Sequence, residues 1–376
     1  MESYSTQFFS QIDKLRNQLL ISIDGVTDRE QILTRIESII LGIVGSLSKN
    51  EAPVLQLPNR SSWSNVDFDS GIGLQMSSEH SVTTVRSNCP SSVTKFAQIL
   101  KILSVIYRLV QSNSYATKRD VYYNNTQLFG SQRSVDMIVD DISCMLKVSR
   151  RALHVLATSK GLIAGDLCYL EEDGTRIDCR SSSAAVSVSP NIYGIRNIVS
   201  SAKFVLIVEK DATFQRLLND DFCAKLSPCI MITGKGVPDV NSRLMVKKLW
   251  DTLQIPLSLL RPWWTIHFVC VCVQAMSFEA HSLTVPSVMW LGLFPSDLQR
   301  LRVPKSSLLP LTRTDECKLS SLLKRPYLAS QPGWQKELEL MQQSKVKAEI
   351  QSLADIAPDF LTSIYLPNKL RYGGWL

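Results

Sequence analysis

The sequence predicts a mixed fold, with an α+β first half and an α/β second half built on a parallel sheet. Apolar residues recur at helical spacing through the first half, and strand-length apolar runs alternate with helical patterns after residue 200. A segment rich in Ser, Asn and Pro separates the first two helices from the rest. The 376 residues, 45% of them apolar, suffice for about two domains, each with its own core.

The composition narrows the class of protein. A count of 41 Lys and Arg against 34 Asp and Glu gives a net charge of +7, which suits an acidic partner such as nucleic acid without establishing one. Nine Cys without a CxxC pair favour reduced thiols. The start MESYSTQFFSQ is too polar for a signal peptide, and the longest apolar run, residues 263–273, is far below the roughly 20 residues of a spanning helix. We therefore expect no membrane-embedded segment, and the four dispersed His give little support to a zinc site.

The N-terminal residues 1–56 predict two amphipathic helices. Their apolar positions recur every three or four residues, at Phe8, Ile12, Leu15 and Leu19 in the first and Ile32, Ile36, Ile39, Ile40 and Ile43 in the second. Residues 57–94 lack any periodicity and predict a linker or irregular segment.

Residues 95–180 predict a winged helix-turn-helix domain. A long helix covers Phe96 to Val110, a short helix follows the capping-box sequence Thr117 to Asp120, and a third helix covers Val135 to Leu146. The next segment, LHVLATSKGLIAGDLCYLEEDGT, is predicted to be a hairpin that turns at Lys160-Gly161. Three helices followed by a hairpin is the order of a winged helix-turn-helix module, which places a basic helix and wing on duplex DNA.

Residues 190–376 predict the parallel sheet. Phe204 to Val208 and Cys229 to Thr233 are continuous apolar runs, as expected for strands buried on both faces, and Ile255 to Leu260 is a third strand. Helical patterns between them give a βαβαβ order, which puts functional side chains at the carboxyl ends of the strands. Glu209 directly follows the first strand, and the chain after residue 276 predicts a helical extension.

Several motifs together resemble the meiotic DNA double-strand-break proteins of the topoisomerase VI A-subunit family, in their animal form. They are KRDVYY at 118–123, VSRRALHV at 148–155, SKGLIAG at 159–165, VEKDATFQRLL at 208–218 and TGKGVPDVNSR at 233–243. The resemblance implies a winged-helix domain with a nucleophilic tyrosine, joined to a Toprim domain that binds Mg²⁺. The second tyrosine of the tandem pair matches Tyr123, the family arginine matches Arg119, and the first Toprim acid matches Glu209.

The resemblance also implies a cellular role. Such a protein cuts double-stranded DNA as a homodimer, on the chromosomes of meiotic cells in the nucleus, and starts homologous recombination. It works with a B-type partner of ATPase fold, in the manner of a type II, ATP-hydrolysing topoisomerase complex. No GxxxxGK[ST] loop occurs in this chain, and residues 1–56 are candidates for contacting the partner, although intramolecular packing explains them equally.

The chemistry of the predicted site is consistent with these matches. A phenol has a pKa near 10, so an attacking Tyr123 needs nearby positive charge or a base, and Lys118 and Arg119 lie about one helical turn before it. Without the surrounding motifs, a tyrosine on a short helix is usually a packing residue, a role that we assign to Tyr122. Its neighbour Tyr123 points about 100° away on a helix.

The other candidate residues each have an ordinary structural alternative. Arg150, Arg151 and Lys160, together with Lys118, are predicted DNA contacts, but basic residues are often solvated surface charge. Glu209 alone can be a carboxylate near a helix start. Gly234 and Gly236 either shape a turn or let the backbone approach DNA or an acid cluster.

Residues 261–275 depart from the family pattern. The family continues its third Toprim strand with an Asp-x-Asp metal motif, whereas this chain reads RPWWTIHFVCVCVQA, which contains no acid. The borders of the substituted piece are sharp, as expected from a changed exon boundary or a wrongly predicted splice junction. Mg²⁺ requires hard oxygen ligands, so Glu209 lacks its second acidic pair. Two functions stay open: the DNA-cutting enzyme of the family, and a non-cutting DNA-binding or assembly form that binds metal weakly.

Overall fold

The computed structural model describes residues 29–60, 65–69, 73–77, 81–156, 158–180, 185–226, 228–260, 283, 285–325, 327–328 and 331–376. The chain forms two compact units: Met1–Pro58 with Val82–Leu156, and Asn59–Ser81 with Ala157–Leu376. The first predicted helix and the substituted segment 261–275 lie outside the described residues.

The first part of the chain contains helices with short strands between them. In chain order the elements are α1 (Arg29–Ser48), β1 (Val54–Pro58), β2 (Val66–Asp69), β3 (Gly73–Met76), β4 (Val82–Arg86), α2 (Val93–Ser112), β5 (Ala116–Thr117), α3 (Lys118–Tyr123), α4 (Thr126–Phe129), α5 (Gln132–Leu146) and β6 (Val155–Leu156). Strands β2 and β3 form a hairpin that belongs to the second unit. The predicted helices of residues 29–48 and 95–146 are therefore present.

The core of the first unit lies between its three long helices. The apolar face of α2 is fully buried at Ile99, Ile102 and Ile106 and meets the buried face of α5 in the same cluster. Helix α1 adds Ile32 and Ile36 but exposes the far side of its C-terminal half. By length and composition α1 is also long and apolar enough to cross a membrane, a test that core helices and signal sequences pass as well.

Two expectations for the first half were wrong. Residues 57–94 are not an irregular linker, because β1 and β4 pair antiparallel along their whole length and β2 pairs with β3. The hairpin turning at Lys160-Gly161 does not form, since β6 pairs with β5 while β7 (Leu162–Gly165) joins the sheet of the second unit. The unit boundary accordingly falls after Leu156, not at residue 180, and the winged-helix assignment remains a prediction.

The second unit contains most of the strands. Its further elements are β7, β8 (Cys168–Leu170), β9 (Arg176–Asp178), β10 (Val186–Ser187), β11 (Arg196–Val199), β12 (Phe204–Val208), α6 (Asp211–Asn219), α7 (Phe222–Lys225), β13 (Cys229–Thr233), α8 (Val240–Leu253), β14 (Leu257–Leu260), β15 (Met289–Trp290), α9 (Pro295–Arg300), β16 (Leu309–Pro310), α10 (Arg313–Leu322), α11 (Pro332–Ser344), β17 (Val346–Lys347) and α12 (Leu366–Tyr372). Short 3₁₀ or π turns lie at Lys305–Ser307, Ile350–Asp355 and Phe360–Tyr365.

The central sheet confirms the predicted βαβαβ unit. Its strand order is β10-β7-β13-β12-β14-β15, with β12 parallel to both β13 and β14 and β14 parallel to β15. Because helices cover both faces, all five residues of β13 and all four of β14 are buried. The carboxyl ends of β12, β13 and β14 therefore lie side by side and bring the loops that follow them together.

Candidate functional site

The tyrosine helix α3 is short and depends on its surroundings for a fixed position. Thr117 and Asp120 form a capping box: the Asp120 amide donates to Thr117 Oγ1 at 3.2 Å, and the Thr117 amide donates to Asp120 Oδ2 at 2.8 Å. These hydrogen bonds hold the pKa of Asp120 below its usual value. A helix of six residues has little stability of its own, so the cap and side-chain packing must fix it.

The tandem tyrosines point in different directions. Val121 is 1% exposed and Tyr122 packs half-buried against the core, whereas Tyr123 is 69% exposed. Arg119, four residues before Tyr123, is exposed as well. Residues spaced by four lie on one face of a helix, so the outer face of α3 presents a guanidinium and a phenol together.

Lys118 and Arg150 are turned into the protein. Lys118 Nζ lies 3.6 Å from a carboxylate oxygen of Asp136 and 3.6 Å from one of Asp140, and Arg150 Nη1 lies 3.2 Å from the same Asp140 oxygen. Asp140 is 1% exposed, and the side chains of Arg150 and Lys118 are 9% and 15% exposed. Burial is the largest cause of the lowered pKa of Lys118, and the neighbouring carboxylates oppose it. This geometry does not support direct phosphate contact by Lys118 or Arg150.

The remaining predicted DNA contacts belong to different units. Arg151 is half-buried at the end of the first unit. Lys160 belongs to the second unit, where its amide donates to Asp239 Oδ2 at 3.1 Å and its ammonium lies 3.4 Å from the Lys235 carbonyl oxygen. Lys160 and Lys235 are both exposed and adjoin at the carboxyl end of the central sheet, where Asp211 Oδ2 lies 3.9 Å from Lys235 Nζ. We call these two lysines the basic pair.

Glu209 occupies the predicted place directly after β12. It is half-buried, its amide donates to the Leu260 carbonyl at 3.3 Å, and its own carbonyl accepts from the Gly236 amide at 2.8 Å. Gly236 has a φ of +90°, and a Cβ on Gly234 would come within 2.5 Å of Pro238. These glycines therefore shape the turn after β13, which is one of the two roles that the sequence left open.

In the described part of the chain, the acids near Glu209 do not form a magnesium site. Asp211 lies 3.9 Å from Lys235 Nζ, and Asp239 caps α8 by accepting from Ser242 at 3.0 Å. Among the described residues, no group of three His, Cys, Asp or Glu is placed to hold a metal ion. Residues 261–275 contribute no carboxylate in the sequence. The acids that the structure describes around Glu209 therefore do not supply the several oxygen ligands in octahedral geometry that Mg²⁺ requires.

Asp136 and Asp140 are functional residues that the sequence motifs did not predict. They lie four residues apart on α5, and Asp140 is buried in the apolar side of that helix, between Val139 and Ile142. A buried acid must be paired, so an Asp inside the helical apolar pattern already indicates a basic partner. That signal points to Lys118 and Arg150 as internal partners.

Comparison with known proteins agrees with the motifs. The family model for the Toprim domain of the topoisomerase 6 A-subunit and Spo11 matches residues 204–370, and the model "Type IIB DNA topoisomerase" matches residues 94–155. The chain is 56% identical to the "Meiotic recombination protein SPO11" of Homo sapiens over 98% of this chain and 97% of the human protein. It is 54% identical to the Mus musculus protein of that name, with the same coverage, and 34% identical to the DNA topoisomerase 6 A-subunit of Arabidopsis thaliana over 92% of this chain and 81% of that protein. The chain therefore belongs to the family of topoisomerase 6 A-subunits and Spo11 proteins.

Proposed function

We propose that this protein forms DNA double-strand breaks in meiotic recombination, with Tyr123 as the nucleophile. The observation that carries the proposal is the outer face of α3, where Tyr123 and Arg119 are exposed together while Val121 and Tyr122 face the core. The names of the relatives, a meiotic recombination protein and part of a topoisomerase, support the reaction class and a place on chromosomes in the nucleus.

The proposed step is a transesterification. The Tyr123 oxygen attacks a backbone phosphorus, the bond from phosphorus to the 3′ oxygen breaks, and a 5′-phosphotyrosyl link forms. The phenol proton goes to solvent and the leaving 3′ oxygen takes a proton, so the number of phosphodiester bonds is conserved. Arg119 lies on the same helix face and provides a permanent positive charge for the phosphate oxygens as negative charge builds up on them.

Double-stranded DNA is the proposed substrate, and the exposed cations support this. Lys160 and Lys235 form a basic pair at the carboxyl end of the Toprim sheet, and cations of this kind contact phosphates without reading sequence. Two strands must be cut, so a homodimer supplies two copies of Tyr123. A B-type partner of ATPase fold completes the proposed assembly, with residues 1–56 as its candidate contact.

A second candidate function is a non-cutting DNA-binding or assembly form. The observation in its favour is the absence of any carboxylate from residues 261–275, together with the lack of an acidic cluster around Glu209 in the described part of the chain. Such a protein keeps the DNA-binding surface and the partner contacts.

Phosphotyrosyl trapping separates the two functions. The full chain, with its B-type partner, is incubated with labelled plasmid in the presence of Mg²⁺, and DNA covalently linked to protein is measured after denaturation. Labelled DNA on the unsubstituted chain but not on Tyr123→Phe supports cutting. The matched control is Tyr122→Phe, which removes a hydroxyl from the packing neighbour and should leave trapping intact. DNA binding without any trapped product in all three chains refutes the enzyme and leaves the binding function.

A further inference from the structure

The buried charge cluster below the tyrosine helix has no role in the chemistry described so far. It contains two basic and two acidic residues, so its formal charge is zero: Lys118, Arg150, Asp136 and Asp140. The Asp136 side chain is 44% exposed, and the other three are at most 15% exposed. A buried ion pair is often no more stabilising than well-packed apolar side chains, so its presence calls for a reason besides stability. Its position, directly beneath α3, suggests a geometric role.

The inner face of α3 is attached to α5 at several points. Val121 enters the core, Lys118 Nζ reaches Asp136 and Asp140, and the Gln132 amide donates to the Lys118 carbonyl oxygen at 3.3 Å. Lys118 and Val121 are three residues apart and share one helix face, opposite the face of Arg119 and Tyr123. The contacts that fix the inner face therefore also fix the rotation of α3, and with it the direction of the tyrosine.

Asp140 connects this attachment to a second segment. The oxygen that lies 3.6 Å from Lys118 Nζ lies 3.2 Å from Arg150 Nη1, and Arg150 belongs to the turn after α5. Asp140 is 1% exposed, so water does not compete for its oxygens. One carboxylate thus holds both the helix that carries the proposed nucleophile and the basic turn that follows α5.

We propose that Asp140 and Lys118 are positioning residues that set the orientation of Tyr123 for attack on phosphorus. This proposal rests on the proposed function of Tyr123 and deepens it. An in-line attack tolerates little misplacement, and a shift of about 1 Å at a reacting atom can lower a rate on the order of a hundredfold. Loss of either residue should reduce cutting while leaving the exposed DNA contacts in place.

The first test does not depend on cutting. A 3-fluorotyrosine is installed at position 123 of the full chain, and its ¹⁹F resonance is compared in Lys118→Met, Asp140→Asn and Asp141→Asn. Asp141 is the matched control, because it lies next on α5 and pairs with Lys95 of α2 at 2.8 Å. We expect a shifted, broadened or split resonance in the first two variants and an unchanged one in the control. A resonance that stays unchanged in Lys118→Met and Asp140→Asn overturns the proposal.

The second test measures cutting and binding separately. All spectra and assays are run well below the lowest melting temperature of the set, so that a merely destabilised variant is still folded. We expect trapped product to fall at least about tenfold in Lys118→Met, with the dissociation constant for DNA within about twofold of the parent. Lys118→Arg, which keeps the charge, should recover most of the product. An equal loss in Asp141→Asn contradicts a positioning role. If the unsubstituted chain traps no DNA, the proposed function fails, and the fluorine resonance still decides the positioning proposal.

Discussion

The buried ion pair at the end of the Toprim domain gives a prediction whose size follows from the structure. Asp297, on α9, is 1% exposed and accepts from Tyr365 Oη at 2.7 Å, Lys369 Nζ at 2.7 Å and the Phe294 amide at 3.1 Å. Lys369, on α12, is 5% exposed, and burial lowers its pKa to about 8 against the attraction of Asp297. The pair therefore ties the last helix of the chain to α9.

Replacement of Asp297 by Asn leaves the Lys369 ammonium buried without its counter-charge. Removal of one partner of a buried pair costs about 3–5 kcal/mol. For a domain of this size, 1 kcal/mol corresponds to about 2–4 °C, so the melting temperature of Asp297→Asn should fall by roughly 6–20 °C. The control is Arg300→Gln. Arg300 also pairs with the Asp297 carboxylate, but the Arg300 side chain is 68% exposed, so its replacement should cost at most about 1 kcal/mol.

The stability of the protein should also depend on pH, in a direction that Lys369 determines. Unfolded Lys369 stays protonated up to its ordinary pKa of 10.5, so the folded protein gains stability with rising pH wherever the folded lysine is neutral. In the parent this gain begins near pH 8, and in Asp297→Asn it begins at lower pH because the attracting carboxylate is gone. The difference in unfolding free energy between the parent and Asp297→Asn should therefore narrow by about 1 kcal/mol between pH 7 and pH 9. Urea unfolding at both pH values measures it. A constant difference, or an Asp297→Asn melting point within about 2 °C of the parent, contradicts this prediction.

Three further predictions concern local structure. Gly165→Ala should lower the free energy of unfolding, measured in urea, by at least about 2 kcal/mol, because φ is +103° and the new Cβ would lie 2.2 Å from the Cys229 oxygen. The control is Gly174→Ala, with φ of +86° and open space around the new Cβ, and it should lose less. Thr117→Ala should cost about 1 kcal/mol through loss of the cap of α3. Burial lowers the pKa of His154, so the stability of the folded protein should decline as pH falls below 6.5. His154→Asn should flatten that decline, and Asn tolerates the φ of +58° at this position. An unchanged dependence of stability on pH in His154→Asn contradicts this prediction.

The sequence predicted the parts of the fold that depend on local patterns. The apolar runs of β12 and β13 and the helical spacing of α2 and α5 are direct consequences of burial, and the structure has them where expected. The strand pairing of β1 with β4 was missed, since Val54 and Val82 belong to segments more than 20 residues apart whose pairing no local pattern specifies. The predicted hairpin at Lys160-Gly161 was wrong for a related reason, because β7 pairs with β13, a strand far away in the sequence.

The site shows the same limit more sharply. Tyr123 and Arg119 were predicted from a motif, and their exposure on one helix face requires only the geometry of that helix. The environment of Lys118 and Arg150 depends on Asp140, which is 22 residues from one and 10 from the other. Their charge and their places in the predicted winged helix therefore suggested DNA contacts. A basic residue within a motif becomes a DNA contact only if no buried acid is placed to receive it.

The carboxyl end of the Toprim sheet supports one more prediction, on metal removal. Around Glu209 the described acids are either paired or capping, with Asp211 near Lys235 and Asp239 on α8, so no vacant acidic cluster repels a phosphate there. A site of several carboxylates needs its cation before it can approach DNA, whereas Lys160 and Lys235 need none. We therefore expect the dissociation constant for duplex DNA to change by less than about twofold between EDTA and Mg²⁺ at matched ionic strength, measured by fluorescence anisotropy. Tenfold tighter binding with Mg²⁺ would show a working metal site and would contradict this expectation. The contact is tested with Lys235→Gln, and the control is Lys305→Gln, at an exposed lysine in a 3₁₀ turn. Loss of DNA binding in Lys235→Gln but not in Lys305→Gln would assign the contact to the basic pair.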